Sequence, residues 1–347
     1  MWSFLFHRGK IRSTRKAEAE RKYFQEADHF FVDVQYTDKP RRYERLDLLV
    51  NGAEFKEKVR GLRRFSWWSQ KRRERWKSSE EYQALFEYCR LRGDKDLCCY
   101  LHLKKDPLFK EYRNWKMIFE DHFPGFCLDS SKWIMRYYAG ELFLKDTYAV
   151  GKDVQLFMPG NVTVLDGGIC LEFRKEEITG KYWDPKRGIV AGKYPYTSGL
   201  ISTALSFRQG QGRFEAKINV NDSLVSSCFW LRGDADFPHI NVMKIDKGYY
   251  DAGCFFKSED EKAQKELKIK LKNGSYIFTL DWTSEEFIWK INDCVVKRQK
   301  NNVPDIPLYA VFSLGSTQNI PEKELPVQMN IEWVRFFVKY KEVKYAE

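Results

Sequence analysis

The period of the apolar residues changes near Trp115. Upstream they fall at helical spacing. Ser13 can cap a helix over residues 14–28, which are rich in Ala, Glu, Lys and Arg. Ser78 with Glu81 reads as a capping box, and Tyr82, Leu85, Phe86 and Cys89 follow at helical spacing until Gly93 stops the run. A short repeat is visible: Tyr43-x-x-Leu46-x-x-Leu49 is matched by Tyr82-x-x-Leu85-x-x-Tyr88, and Phe55-Lys56-Glu57 by Phe109-Lys110-Glu111.

Downstream, short segments rich in Ile, Val, Phe, Tyr and Trp recur between Gly, Pro and Asn-Gly breaks. They cover 162–165, 169–174, 199–207, 212–220, 228–231, 240–245, 276–282, 287–291, 308–314 and 329–340. Many short strands at this spacing predict an all-β sandwich or barrel. Asp166-Gly167-Gly168 and Asn273-Gly274 read as hairpin turns. The expectation is a mainly β chain with a helical region over 1–114 and a β domain over 115–347.

Charge sharpens the division. Of the net +11, residues 1–114 carry about +10, with 28 Lys and Arg against 18 Asp and Glu. The most basic stretch sets Arg63, Arg64, Lys71, Arg72, Arg73 and Arg75 among Phe65, Trp67, Trp68 and Trp76. Guanidinium pairs with phosphate while indole stacks, so this composition suits a nucleic acid or another anionic surface. A helix that docks its Trp on a neighbour and turns its Arg to water has the same composition.

Composition excludes little else. At 43% hydrophobic and 31% charged the 347 residues suit a soluble globular protein, and 16% aromatics suit a large sandwich core or a sugar-stacking surface. The apolar run at the amino terminus ends at Phe6, short of the ~7–15 residues of a signal-peptide core. No stretch offers the ~18 apolar residues of a membrane span. The expectation is a cytoplasmic chain, with a secreted or virion-associated role reached without a signal peptide left open. The eight cysteines (Cys89, Cys98, Cys99, Cys127, Cys170, Cys228, Cys254, Cys294) form no Cys-x-x-Cys pair and no zinc spacing, and read as reduced thiols.

The order of local patterns carries a resemblance. Trp115 to Phe123, then Leu128-Asp129-x-x-Lys132-Trp133, is similar to the opening strand of glycoside hydrolase family 16 domains. Tyr196-Thr-Ser198-Gly199-Leu-Ile-Ser202, Phe207 and Gly212-Arg213-Phe214-Glu215-Ala216-Lys217-Ile218 resemble that family's sheet-building core. Phe229-Trp230-Leu231 and Pro238 flank the place of its catalytic strand. Tyr276-x-x-x-x-Asp281-Trp282-Thr283, Ile288-Trp289 and Ile331-x-Trp333-Val334-Arg335-Phe336 resemble its closing strands. The resemblance covers about residues 115–340 and implies a concanavalin A-like jelly roll, with a structural calcium ion in some relatives and no other cofactor.

The family's catalytic strand carries Glu-x-Asp-x-x-Glu, which supplies nucleophile, tuning Asp and general acid/base. Alternate strand residues share a face, and a bulge returns the last Glu to it, so that the carboxylates of nucleophile and acid lie ~5–5.5 Å apart. Here the positions read His239-Ile240-Asn241-Val242-Met243-Lys244. His239 is a poor substitute for the nucleophile, Asn241 carries no charge, and Lys244, with an ordinary pKa of ~10.4, is a weak acid for a leaving oxygen. The resemblance therefore implies a degenerate site with no catalytic residue among His239, Asn241 and Lys244. Asp236 and Asp246 are the fallback carboxylates.

Candidates to stack on sugar rings are Phe237, Trp230, Trp183, Tyr194 and Tyr196. Exchanging three acids for His, Asn and Lys suggests a neutral or positive groove, suited to an anionic glycan or a phosphate better than to a neutral glucan, so the expected partner is a polysaccharide or an anionic glycan. Three functions compete: a glycan-binding or scaffold protein without hydrolysis, a β-glycan hydrolase using other carboxylates, and an interaction protein contacting nucleic acid or an anionic surface through its basic segment. The amino-terminal helices would supply assembly contacts with a protein partner.

Overall fold

In a computed structural model of the chain, the structure describes residues 11–63, 69–150, 153–184, 186–235, 238–256, 267 and 269–340. Arg64, Phe65, Trp67, Trp68, Asp236, Phe237 and the side chain of Trp183 lie outside the described residues. The chain forms two compact units. One spans Glu18–Asn114, and the other joins the residues up to Ala17 with those from Trp115 onward.

The helices are α1 (Thr14–Gln35), α2 (Lys39–Asn51), α3 (Ala53–Arg63), α4 (Gln70–Lys77), α5 (Glu80–Arg92), α6 (Lys95–Lys105) and α7 (Pro107–Arg113). Helix α1 continues past residue 28 because Phe31 and Val34 keep the apolar period. They join Ala27, Leu91, Leu97, Tyr100, Leu103 and Phe109 in the core of the helical unit. The capping residue of α5 is Ser79, whose hydroxyl accepts from Tyr82 N at 3.2 Å, and not Ser78. Ser79 has the extended backbone a cap requires (ψ 149°), whereas Ser78 still closes α4 and donates to Arg75 O. The two halves of the repeat face each other, with Tyr43 stacked on Tyr88 at 5.5 Å between centroids.

The β unit opens with β1 (Trp115–Asp121), β2 (Tyr148–Ala149), β3 (Gln155–Phe157), β4 (Val162–Leu165), β5 (Gly168–Asp184) and β6 (Gly188–Ser198). It continues through β7 (Leu200–Ser202), β8 (Gly212–Val220), β9 (Ser226–Arg232), β10 (His239–Asp246) and β11 (Tyr249–Phe255). It closes with β12 (Ile269–Lys270), β13 (Gly274–Trp282), β14 (Glu286–Ile291), β15 (Cys294–Lys300), β16 (Tyr309–Gly315) and β17 (Val327–Lys339). The larger sheet runs β15-β14-β13-β8-β17-β5-β6-β3, with β1, β2 and β4 added at its side, and the smaller runs β12-β11-β10-β9-β16-β7. Between them lies an apolar core in which Phe229 of β9 stacks on Phe312 of β16 at 4.3 Å.

Two expectations are corrected here. Residues 11–17 belong with the β unit: Ala17 is buried with Ile277 and Trp333, and Arg12 reaches Asn292 O and Asp293 at 2.6 Å each. Asn273-Gly274 is no hairpin. β12 pairs with β11 in the smaller sheet, while β13 pairs with β8 in the larger, so the dipeptide carries the chain between sheets. The tight hairpins are at Lys247-Gly248 (φ 51° and 74°) and Asn292-Asp293 (φ 48° and 62°), where both positive values match the twist of the flanking strands. Asp166-Gly167-Gly168 does join β4 to its antiparallel neighbour β5.

Candidate site on the bulged strand

Strand β10 is central in its sheet, paired with β9 on one side and β11 on the other. Ile240, Val242, Met243 and Ile245 all enter the sandwich core. Two consecutive inward residues, Val242 and Met243, break the alternation, and the register shifts between Asn241 and Lys244 against β11 and between Asn241 and Met243 against β9. This is a β-bulge, and it turns His239, Asn241 and Lys244 to one face.

A bulge in a central strand strands backbone carbonyls where water cannot reach them. Two buried aromatic donors meet them. Trp289 Nε1 on β14 donates to Asn241 O at 2.8 Å, and the Tyr250 hydroxyl on β11 donates to Val242 O at 3.0 Å. Burial holds the Tyr250 hydroxyl well above its ordinary pKa, so it stays a donor. Gln299 of β15 clamps the backbone of Cys254, and Lys297 donates to Ala252 O at 2.5 Å, tying the larger sheet to β11. Burial lowers the Lys297 ammonium pKa.

On the far face, His239 Nε2 lies 3.0 Å from Asn241 Oδ1, and the His239 ring sits 5.0 Å from Trp230. Lys244 stands between Cys228 of β9 and Asp251 of β11 in the strand register. Asp251 is a carboxylate beside the site that the sequence reading missed. Counting outward from the Lys247-Gly248 turn gives Asp246 opposite Tyr249 and Lys244 opposite Asp251, so the signal was present. Across the ladder the cation at 244 stands opposite an acid, Asp251. Asp246 is exposed at the end of β10.

Beyond β9 the same face is apolar. Trp230 is only 9% exposed, donates Nε1 to Ser313 Oγ at 3.2 Å, and packs with Phe157, Leu200, Ala204, Tyr309 and Val311. Ile134, Tyr137 and Tyr138 lean on this cluster. Arg208 lies 4.8 Å from the Tyr138 ring and 5.1 Å from that of Tyr309, and pairs with Asp234 at 2.8 Å. Tyr137 donates to Asp153 at 3.4 Å, and burial pushes the Asp153 carboxyl up to about 6.

Of the aromatics named as sugar platforms, Trp230 alone among the described rings borders the bulged strand. Tyr196 is corrected to a core residue: its ring packs on Phe173 at 5.2 Å, and its hydroxyl both donates to Ile320 O and accepts from Ile320 N, each at 3.0 Å. Tyr194 is buried with Ala149 and Leu156. Among the described residues no group of three His, Cys, Asp or Glu side chains could hold a metal ion, so no calcium ligands are assigned. In the helical unit, Arg63, Arg72, Arg73 and Arg75 are exposed, while Trp76 turns its edge to Tyr82 at 5.5 Å. No described helix is long and apolar enough to cross a membrane.

No family model matches the chain. A segment of 158 residues is 27% identical to the endo-1,3-1,4-beta-glycanase ExsH of Rhizobium meliloti, covering 42% of this chain and 34% of that protein. The chain thus spans about a third of the length of that curated relative. Among solved structures, the family GH16 enzyme SCLam, a non-specific endo-beta-1,3(4)-glucanase, superposes with a TM-score of 0.53 at 19% identity over 65% of this chain and 92% of that one. The kappa-carrageenase of Pseudoalteromonas carrageenovora, solved with an oligotetrasaccharide of kappa-carrageenan, superposes with a TM-score of 0.51 at 17% identity over 65% and 96%. The β unit is glycoside hydrolase family 16-like in fold.

Proposed function

We propose that the β unit is a glycan-binding domain on a glycosidase fold that does not perform two-step hydrolysis through its bulged strand. The observation that carries this reading is the occupancy of the bulged face: His239, Asn241 and Lys244 stand where that mechanism needs a nucleophilic and an acidic carboxylate on one face. Neither Asn241 nor a protonated Lys244 can form a glycosyl ester, and His239 is committed to Asn241 at 3.0 Å. Trp230 supplies a ring edge beside the site for a sugar, and the braced bulge keeps the face rigid.

The occupant is a polysaccharide, and the pairing of Lys244 with Asp251 leaves neutral and sulphated chains as the two arms of the test. Affinity electrophoresis in gels cast with laminarin, lichenan, agarose or carrageenan should retard the protein, and Trp230→Ala should reduce the retardation. Unchanged mobility in all four gels would sink the binding claim.

A second reading, a β-glycan hydrolase using other carboxylates, draws support from the 27% identity to a curated endo-glycanase and from Asp251 beside the bulge. Under it the wild type releases reducing ends and Asp251→Asn abolishes the release. Under the first reading the wild type releases none.

A further inference from the structure

Helix α4 is electrostatically costly and buries little, with Trp76 alone of its residues half-covered. Its eight residues include Lys71, Arg72, Arg73, Arg75 and Lys77, and none of the eight is buried. No acid occupies its first turn, where three cations face the positive end of the helix dipole. At about 100° per residue, Lys71 and Arg75 form one i,i+4 row and Arg73 and Lys77 another, roughly on the opposite side. Like charges at i,i+4 destabilise a helix. Lys71, Arg73, Arg75 and Lys77 make no ion pair among the described residues, and the helix's one acid, Glu74, accepts from Gln70. A surface helix kept only for solubility would gain from acids at these positions. A polyanion laid along α4 removes both repulsions.

We infer that α4 docks duplex DNA through its phosphate backbone, with the Lys71/Arg75 and Arg73/Lys77 rows reaching the two walls of one groove. Eight helical residues span about 12 Å, and a helix of about 10–12 Å diameter fits a major groove about 12 Å wide. The deep, narrow major groove of A-form RNA excludes it. An anionic bilayer is a poorer partner, because a surface-lying helix needs an apolar face and the Trp76 ring is turned onto Tyr82. The two cationic rows point sideways from the helix axis toward the groove walls, so the contact is to the phosphates that line them.

The test uses the full chain and a labelled 20-base-pair duplex of mixed sequence, read by fluorescence anisotropy from 50 to 200 mM NaCl. The variant Lys71→Ala/Arg73→Ala/Arg75→Ala/Lys77→Ala, whose alanines favour the helix, should bind at least tenfold more weakly at 100 mM. Its log-log salt slope should fall by about 3–4, at about 0.9 per lost phosphate contact. A control removing four exposed lysines elsewhere on the helical unit, Lys22, Lys95, Lys105 and Lys110, should keep nearly wild-type affinity. Equal losses in the two variants would overturn the inference in favour of diffuse charge. So would wild-type binding to heparin or phosphatidylserine vesicles without binding to the duplex.

Discussion

Tyr250→Phe removes one oxygen and nothing else from the support of the bulge. The ring is 1% exposed and stacks on Phe278 at 5.7 Å, contacts that phenylalanine keeps. What is lost is the donor 3.0 Å from Val242 O, a carbonyl in a central strand with core on one side and the Trp230 face on the other. Losing the bond and leaving a buried acceptor unmet costs about 1–3 kcal/mol. For a unit of this size that is a fall in Tm of about 2–12 °C. Urea denaturation followed by tryptophan fluorescence should show the lower midpoint with an unchanged slope, and hydrogen exchange should quicken most around residues 241–244. Trp289→Phe removes the neighbouring donor to Asn241 O, so the double variant should depart from additivity by at least about 0.5 kcal/mol. A Tyr250→Phe cost below about 0.5 kcal/mol with unchanged exchange would refute the bracing, because it would mean the carbonyl has another partner.

Two further predictions concern buried charge. Asp281 is 3% exposed and is held by Arg213 at 2.6 and 3.0 Å and by Lys290 at 2.5 Å, cations that keep its carboxyl well below the usual range against the opposing effect of burial. Arg213→Ala should cost about 3–5 kcal/mol by leaving the carboxylate under-compensated. A depressed carboxylate contributes stability above its unfolded pKa of about 3.9 and loses it as pH falls, so the wild type should weaken below about pH 4 more steeply than Asp281→Asn. Parallel acid-unfolding slopes would contradict this. Asp153 has the opposite sign: with its carboxyl pushed up by burial to about 6, its ionisation opposes folding increasingly as pH rises from the unfolded pKa of about 3.9 and in full above about 6. Asp153→Asn should therefore stabilise the unit by up to about 3 kcal/mol at pH 7.5, by about half that at pH 5 and by little at pH 3.5, and thermal melts showing equal effects at pH 7.5 and 3.5 would rule that out.

Much of the β unit was legible because period-2 runs and turn residues are local signals. The segments 162–165 and 212–220 match β4 and β8 residue for residue. Pairing is not local, which is why Asn273-Gly274 has the chemistry of a hairpin and the job of a crossover. The bulge in β10 was legible only through the resemblance to the family 16 catalytic strand, which puts 239, 241 and 244 on one face, and its supports were not legible at all. Trp289 and Tyr250 reach it from β14 and β11, and an apolar tryptophan at strand spacing looks the same whether its indole nitrogen serves a bulge or nothing. Tyr196 was misplaced for the converse reason: its hydroxyl finds Ile320, 124 residues away. Ser78 and Ser79 are chemically equivalent as caps, and only the end of α4 chooses between them.

The most direct test of the account is a reducing-end release assay on laminarin, lichenan, agarose and carrageenan, comparing the wild type with His239→Glu/Asn241→Asp/Lys244→Glu. The account predicts a silent wild type and measurable release by the triple variant, because the braced bulge still presents the three positions on one face. Release by the wild type would contradict it and would make Asp251 the first residue to remove.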